Sequence, residues 1–167
     1  MRSLRFGLLL LLAGCAAPGP PLPTVAQVDL QRYAGTWHEI ASFPNNFQAG
    51  CAGTTARYTA HPDGSIDVLN QCRIDDKAVQ ARAVAWAVDP PTNAKLKVQF
   101  FWPFRGDYWI IGLEPDYQWA LVGVPSRDFL WILAREPQLD AATYDQIVAR
   151  AAGLGFDTSR LRQTQQP

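Results

Sequence analysis

The sequence predicts an all-β fold: an eight-stranded antiparallel up-and-down β-barrel, with a short helical turn before it and one α-helix packed outside it near the C-terminus. Three observations predict this. Eight short strand-like segments follow one another across brief, turn-like links, so successive strands pair antiparallel and in sequence order. Leu96, Val98 and Phe100 alternate with Lys95, Lys97 and Gln99, which makes one face dry and the other wet. Ala81, Ala83, Ala85 and Ala87 share a face of the fourth strand, leaving room where the core of a sandwich, the competing architecture, needs bulk.

The chain has 167 residues, enough for one domain with a sizeable core, and begins with a segment of a different kind. Residues 1–14 read as an export signal, with Arg2 and Arg5 ahead of an apolar run, Phe6 to Leu12, that is too short to span a bilayer. Leu12-Ala13-Gly14-Cys15 matches a lipobox, in which Cys15 becomes the acylated first residue; an ordinary signal peptide with a chance cysteine is the alternative. Several acyl chains, at ~0.8 kcal/mol per buried CH₂, give lasting membrane attachment. Pro18, Pro20, Pro21 and Pro23 with Gly19 make residues 15–27 a stiff tether, and residues 28–167 form the barrel domain. Without Arg2 and Arg5 the chain carries 13 basic against 15 acidic residues, a net charge of −2, so no basic surplus exists to hold nucleic acid.

Asp29 is a candidate N-cap for a turn ending near Tyr33, which delivers the chain into the opening strand, Gly35 to Ala41. Alternation there puts Trp37, Glu39 and Ala41 on one face and Thr36, His38 and Ile40 on the other. A loop through Phe43 and Phe47 follows, then strands 53–60 and 65–72 across the hairpin signal Pro62-Asp63-Gly64. Further strands are expected at 79–88, 95–101, 108–113, 119–124 and 129–134. The period then changes: Leu139, Ala142, Ile147, Ala151 and Leu154 have helical spacing, with Asp140 as N-cap, and 160–165 suits a ninth short strand. Cys51 and Cys72 are an even pair in an exported chain and read as a disulfide, against two free thiols. Closing a loop of about twenty residues contributes roughly 3 kcal/mol in the chain-entropy view.

With these residues in place the chain resembles the lipocalin family, and within it the bacterial outer-membrane lipoprotein lipocalins, themselves similar to apolipoprotein D. Gly35-Thr36-Trp37 matches the family's Gly-x-Trp opening. Glu114-Pro115-Asp116-Tyr117 matches its Thr-Asp-Tyr turn, with Pro115 in place of Thr. Arg135 matches the Arg that follows the eighth strand. The resemblance spans about residues 28–166. It implies a barrel floor built from Gly35, Trp37, Asp116, Tyr117 and Arg135, and a homodimer in the bacterial members. The Cys51/Cys72 pair departs from those members. Strand parity independently puts Arg135 on the same side as Leu133 and Trp131, within reach of the Trp37 ring, and Glu39 is a candidate partner for it. Ala16 rather than Asp after Cys15 implies, by resemblance to lipoprotein sorting, the outer membrane of a Gram-negative bacterium.

Carrying the alternation through each strand gives a candidate ligand-binding lining. It comprises Tyr58 from the second strand, Ile66, Val68 and Asn70 from the third, and Ala83 and Ala85 from the fourth. Leu96, Val98 and Phe100 come from the fifth, Trp119 and Leu121 from the seventh, and Phe129, Trp131 and Leu133 from the eighth. The sixth strand has two possible phases around Gly112 and its residues stay unassigned. The lining is apolar and aromatic, suited to an acyl chain such as that of a fatty acid or lysophospholipid. Phe43, Phe47, Trp102 and Phe104 fall on loops at the mouth, for partial burial, gating or membrane contact. Arg73 and Arg105 near them are candidates to meet a head-group anion.

A membrane-anchored lipid carrier is therefore the leading expectation. An enzyme of the same fold and a purely structural envelope protein are the alternatives. His38 lies on the face opposite Trp37 and His61 sits at a turn, so neither is a general base inside the barrel. The cysteines are committed to lipid or disulfide, and no His/Cys/carboxylate grouping has metal spacing, so no cofactor is expected.

Overall fold

A computed structural model of the chain describes residues 20–166. The proposed signal segment and Cys15 lie outside them. Asp29 caps α1 (Leu30–Tyr33), its carboxylate accepting from the N–H groups of Gln31 and Arg32. Eight strands follow: β1 (Gly35–Ser42), β2 (Ala52–Ala60), β3 (Ser65–Ile74), β4 (Lys77–Ala87), β5 (Lys95–Phe101), β6 (Phe104–Leu113), β7 (Trp119–Gly123) and β8 (Leu130–Ala134). Each pairs antiparallel with the next, and β1 pairs with both β2 and β8, which closes the barrel. The helix α2 (Ala141–Gly153) is capped by Asp140, and β9 (Arg162–Gln163) adds to the mouth end of β1.

Two cores result, one on each side of the wall. The inner core fills the closed end with Tyr33, Trp37, Tyr58, Ile66, Ala85, Leu96, Ile110 and Val122. The outer core joins Ile111, Leu121, Leu130 and Ile132 to Ile147 and Ala151 of α2 and to Phe156. Arg150 of α2 donates from Nε (3.0 Å) and Nη2 (2.8 Å) to the carbonyl of Ile111, which lies in the β6 bulge between Ile110 and Gly112. That bulge reverses the strand's phase. It is the irregularity that left β6 unassignable from its pattern.

Several expectations need correction. Trp119 and Leu121 face outward into the helix-covered core, and Ala120 and Val122 face inward. With both faces of β7 apolar, alternation alone does not say which face is inside. Ala41 also turns outward, because a bulge between Glu39 and Ala41 breaks the alternation of β1. Phe43 is no rim residue: it is buried in the outer core, 6.2 Å from the Phe156 ring and with the Arg160 guanidinium 4.5 Å above it. From Pro20 onward the stretch expected to be a tether packs on the barrel, with Leu22 buried and the Val25 N–H donating to the Ile110 carbonyl.

Candidate functional site: a floored, open cavity

The floor forms where Gly35 turns the chain into β1. Gly35 has φ +99°, and a Cβ there would stand 3.2 Å from Nη1 of Arg135, so glycine serves both backbone and packing. Trp37 is fully buried, its Nε1 donating to the Tyr33 carbonyl at 2.8 Å. The Arg135 guanidinium lies 3.8 Å from the centre of its ring. Arg135 also donates to the carbonyls of Arg32, Tyr33, Ala34, Thr36 and Tyr117, tying α1, β1 and the β6–β7 turn together. Partial burial lowers its pKa from the ordinary arginine value.

Tyr117, at φ +61°, accepts from the Asp29 N–H through its hydroxyl and carries Arg32 over its ring at 4.2 Å. The carboxylate that closes this turn belongs to Glu114, which accepts from the N–H groups of Asp116 and Gln118, while the Asp116 side chain is exposed.

Above the floor three phenols converge. Tyr33 and Tyr58 each share a hydrogen bond with the Tyr108 hydroxyl, at 2.7 and 2.9 Å. Burial pushes all three pKa values up, that of Tyr58 to about 12, so the phenols are neutral at ordinary pH. Tyr108 belongs to unassigned β6; its pairing opposite Leu96 is the signal that would have placed it inside.

A cavity of about 1080 Å³ rises from this cluster to the open end. Tyr58, Val68, Asn70, Val98, Phe100, Phe129, Trp131 and Leu133 of the expected lining border it. Ile66, Ala83, Ala85 and Leu96 also face inward, but they lie lower and are consumed by the floor core, so they do not border the open space. Ala56, Ala81, Gln48 and Glu39 border it without having been anticipated. Glu39 does not reach Arg135. Its carboxylate accepts from Ser42 (3.1 Å), Gln48 (2.8 Å) and Thr164 (2.5 Å), and Gln48 in turn accepts from Nε1 of Trp131 at 3.1 Å.

At the mouth, Cys51 and Cys72 are joined, with Cα atoms 5.4 Å apart, which holds the β1–β2 loop against β3. Phe47 packs on Phe129 at 5.7 Å, and Phe129 stacks on Trp131 at 5.9 Å. Arg73 pairs with Asp76 at 3.7 Å, and Arg105 lies 5.2 Å over the Trp86 ring. His38 does not border the cavity, and His61 pairs with Asp67 at 3.0 Å.

Comparison with known proteins accounts for this floor and barrel. Residues 28–166 match the model of the lipocalin-like domain family. The chain belongs to the lipocalins. This lipocalin is similar to temperature-induced lipocalin-1 of Arabidopsis thaliana, 43% identical over 154 residues that cover 87% of this chain and 83% of the relative. It is also similar to the outer membrane lipoprotein Blc of Escherichia coli K12, 40% identical over 161 residues, 94% and 91% of the two chains. Among solved structures it shares the fold of insecticyanin from the tobacco hornworm Manduca sexta, with a TM-score of 0.72, 20% identity and coverage of 87% and 85%.

Proposed function

We propose that this lipocalin carries or scavenges single-chain lipids, fatty acids or lysophospholipids, while anchored to the outer membrane of a Gram-negative bacterium through acylated Cys15. The observation that supports binding is the cavity. Its volume of about 1080 Å³ lies just above the about 300–1,000 Å³ usual for small-molecule sites, and its wall is mostly aliphatic and aromatic. It is closed below by a floor whose polar groups are mutually satisfied, so an occupant enters and leaves from the mouth. Support for anchoring comes from the lipobox at Leu12 to Cys15 and from the likeness to an outer membrane lipoprotein.

A carrier reading suits the chemistry of the wall better than an enzyme reading. The phenols above the floor are held neutral, and Glu39 is occupied by three donors, which leaves neither poised to take a proton. The test is mass spectrometry of lipids that co-purify with the protein: one acyl-chain lipid per barrel is expected, and recovery of no stoichiometric lipid under native conditions counts against the proposal. Cys15→Ala is expected to release the protein from membranes; continued membrane association counts against the anchor.

A further inference from the structure

The rim of the mouth carries large apolar side chains that the fold leaves in solvent: Phe47, Phe101 and Phe104 border the cavity opening, and Trp102 stands outside it. Trp102 is 83% exposed, Phe47 69%, and Phe101 and Phe104 66% each; these are the four most exposed large apolar side chains among the described residues. Phe101, Trp102 and Phe104 form the β5–β6 tip, where the two Phe rings lie 5.3 Å apart. Phe47 stands on the β1–β2 loop, on the far side of the same opening by strand order. Four such rings held around one opening are an interaction surface, since scattered single apolar residues are normal but a clustered patch is not.

A second, independent observation says what meets them. The chain enters the described structure at this same end. Arg127, in the β7–β8 turn at the mouth, donates from Nη2 to the Pro20 carbonyl at 2.9 Å. From there the chain descends outside the barrel, past the Val25 bond to Ile110, to the Val28 bond with Thr92 in the β4–β5 turn beside the floor. Cys15 precedes Pro20 by five residues, at most about 18 Å of extended chain at 3.3–3.6 Å per residue. If Cys15 is acylated as proposed above, an anchor there reaches the mouth end of the barrel more readily than the floor.

We propose that the open end of the barrel docks on a lipid bilayer, with the β5–β6 aromatic tip and Phe47 entering the interfacial layer. The cavity then opens onto the acyl region, and a lipid passes between bilayer and barrel without crossing water. The inference rests on the anchored-carrier reading above. Indole and phenyl rings suit this depth, because an amphipathic ring is favoured where apolar and wet layers meet. The tether raises the local concentration of tip and surface, so a weak contact suffices. The β3–β4 turn at the mouth carries Arg73 and Lys77 against Asp75 and Asp76 and so adds no net charge to this end.

Nitroxide labels on the full acylated chain test this, one at Trp102→Cys and a reference at Asp116→Cys in the exposed floor turn. They are read in vesicles of phosphatidylethanolamine and phosphatidylglycerol. The ratio of accessibility to oxygen over accessibility to a water-soluble nickel chelate is expected to be severalfold higher at 102 than at 116. Equal ratios on vesicle-bound protein overturn the docking and leave the anchor standing; failure to float with vesicles overturns both. A short distance between the 102 labels of two molecules, present without vesicles and unchanged by them, assigns the tip to a second copy and also overturns it. Cavity binding is read separately with a fluorescent fatty acid on Trp102→Ser, since Trp102 does not border the cavity. Unchanged affinity with lost immersion supports the proposal, and loss of affinity in this variant overturns the assignment of Trp102 to the bilayer contact alone.

Discussion

Trp37 and Trp102 stand at opposite ends of one barrel. The first is wholly buried, its ring face covered by Arg135 and its N–H bonded to the Tyr33 carbonyl; the second is 83% exposed. At the floor, the Trp37 N–H, the three phenols and the Arg135 guanidinium all have partners, and five carbonyls converge on that one guanidinium. At the mouth, the rings at the β5–β6 tip are exposed, and across the opening a disulfide holds the β1–β2 loop. The floor is thus closed by packing and hydrogen bonds around Trp37, while the open end adds a covalent link to its polar contacts.

The contrast predicts a graded set of outcomes. Trp37→Ala is expected to destabilise the fold by about 3–5 kcal/mol, as full burial of a large aromatic implies, measured by urea unfolding. Arg135→Lys should recover only part of what Arg135→Ala loses, because an ammonium cannot reach five carbonyls at once. Replacing both Cys51 and Cys72 by Ser is expected to remove roughly 3 kcal/mol by loop entropy, with proteolysis directed to the β1–β2 loop and the floor intact. A loss well below that, with no new cleavage, would show that the mouth does not depend on the link.

Smaller still is an alkaline effect. Tyr33, Tyr58 and Tyr108 have folded-state pKa values above their unfolded values, so their contribution is complete below about pH 10 and is lost as pH rises toward and past 12. Phenolate absorbance of these three is expected to appear only with unfolding. Tyr108→Phe should flatten the fall in stability above pH 10, and an unchanged slope would remove the phenol cluster from the account.

Much of the barrel was legible because its walls obey a two-residue period and its turns carry Asp-Gly and Pro signals. The capping of both helices by Asp29 and Asp140, the β9 edge and the Trp37–Arg135 pair followed from local chemistry and parity. What failed was phase. A single extra residue in β1 reverses its faces without a sequence signature, whereas the bulge in β6 falls beside Gly112, the ambiguity that leaves that strand unassigned. In β7 the outer face is as apolar as the inner because α2 covers it, so Trp119 and Leu121 were assigned to the wrong side. Glu39 reads from parity as a candidate partner for Arg135, because its actual donors come from Ser42 past the bulge, from a loop, and from Thr164 at the far end of the chain. Depth along the barrel was invisible too: Ile66 and Leu96 point inward like Val68 and Val98, and only the packing around Trp37 shows which lie below the open space.

The most direct measurement is a titration of the purified protein with a fluorescent long-chain fatty acid, compared with Ala81→Trp. Ala81 is an exposed residue on the cavity wall, so an indole there fills the bore without displacing packed core. Saturable one-to-one binding is expected in the unaltered chain, with at least tenfold weaker binding in Ala81→Trp at an unchanged melting temperature, a difference of about 1.4 kcal/mol. Equal binding by both proteins would place the ligand outside the barrel and contradict the account.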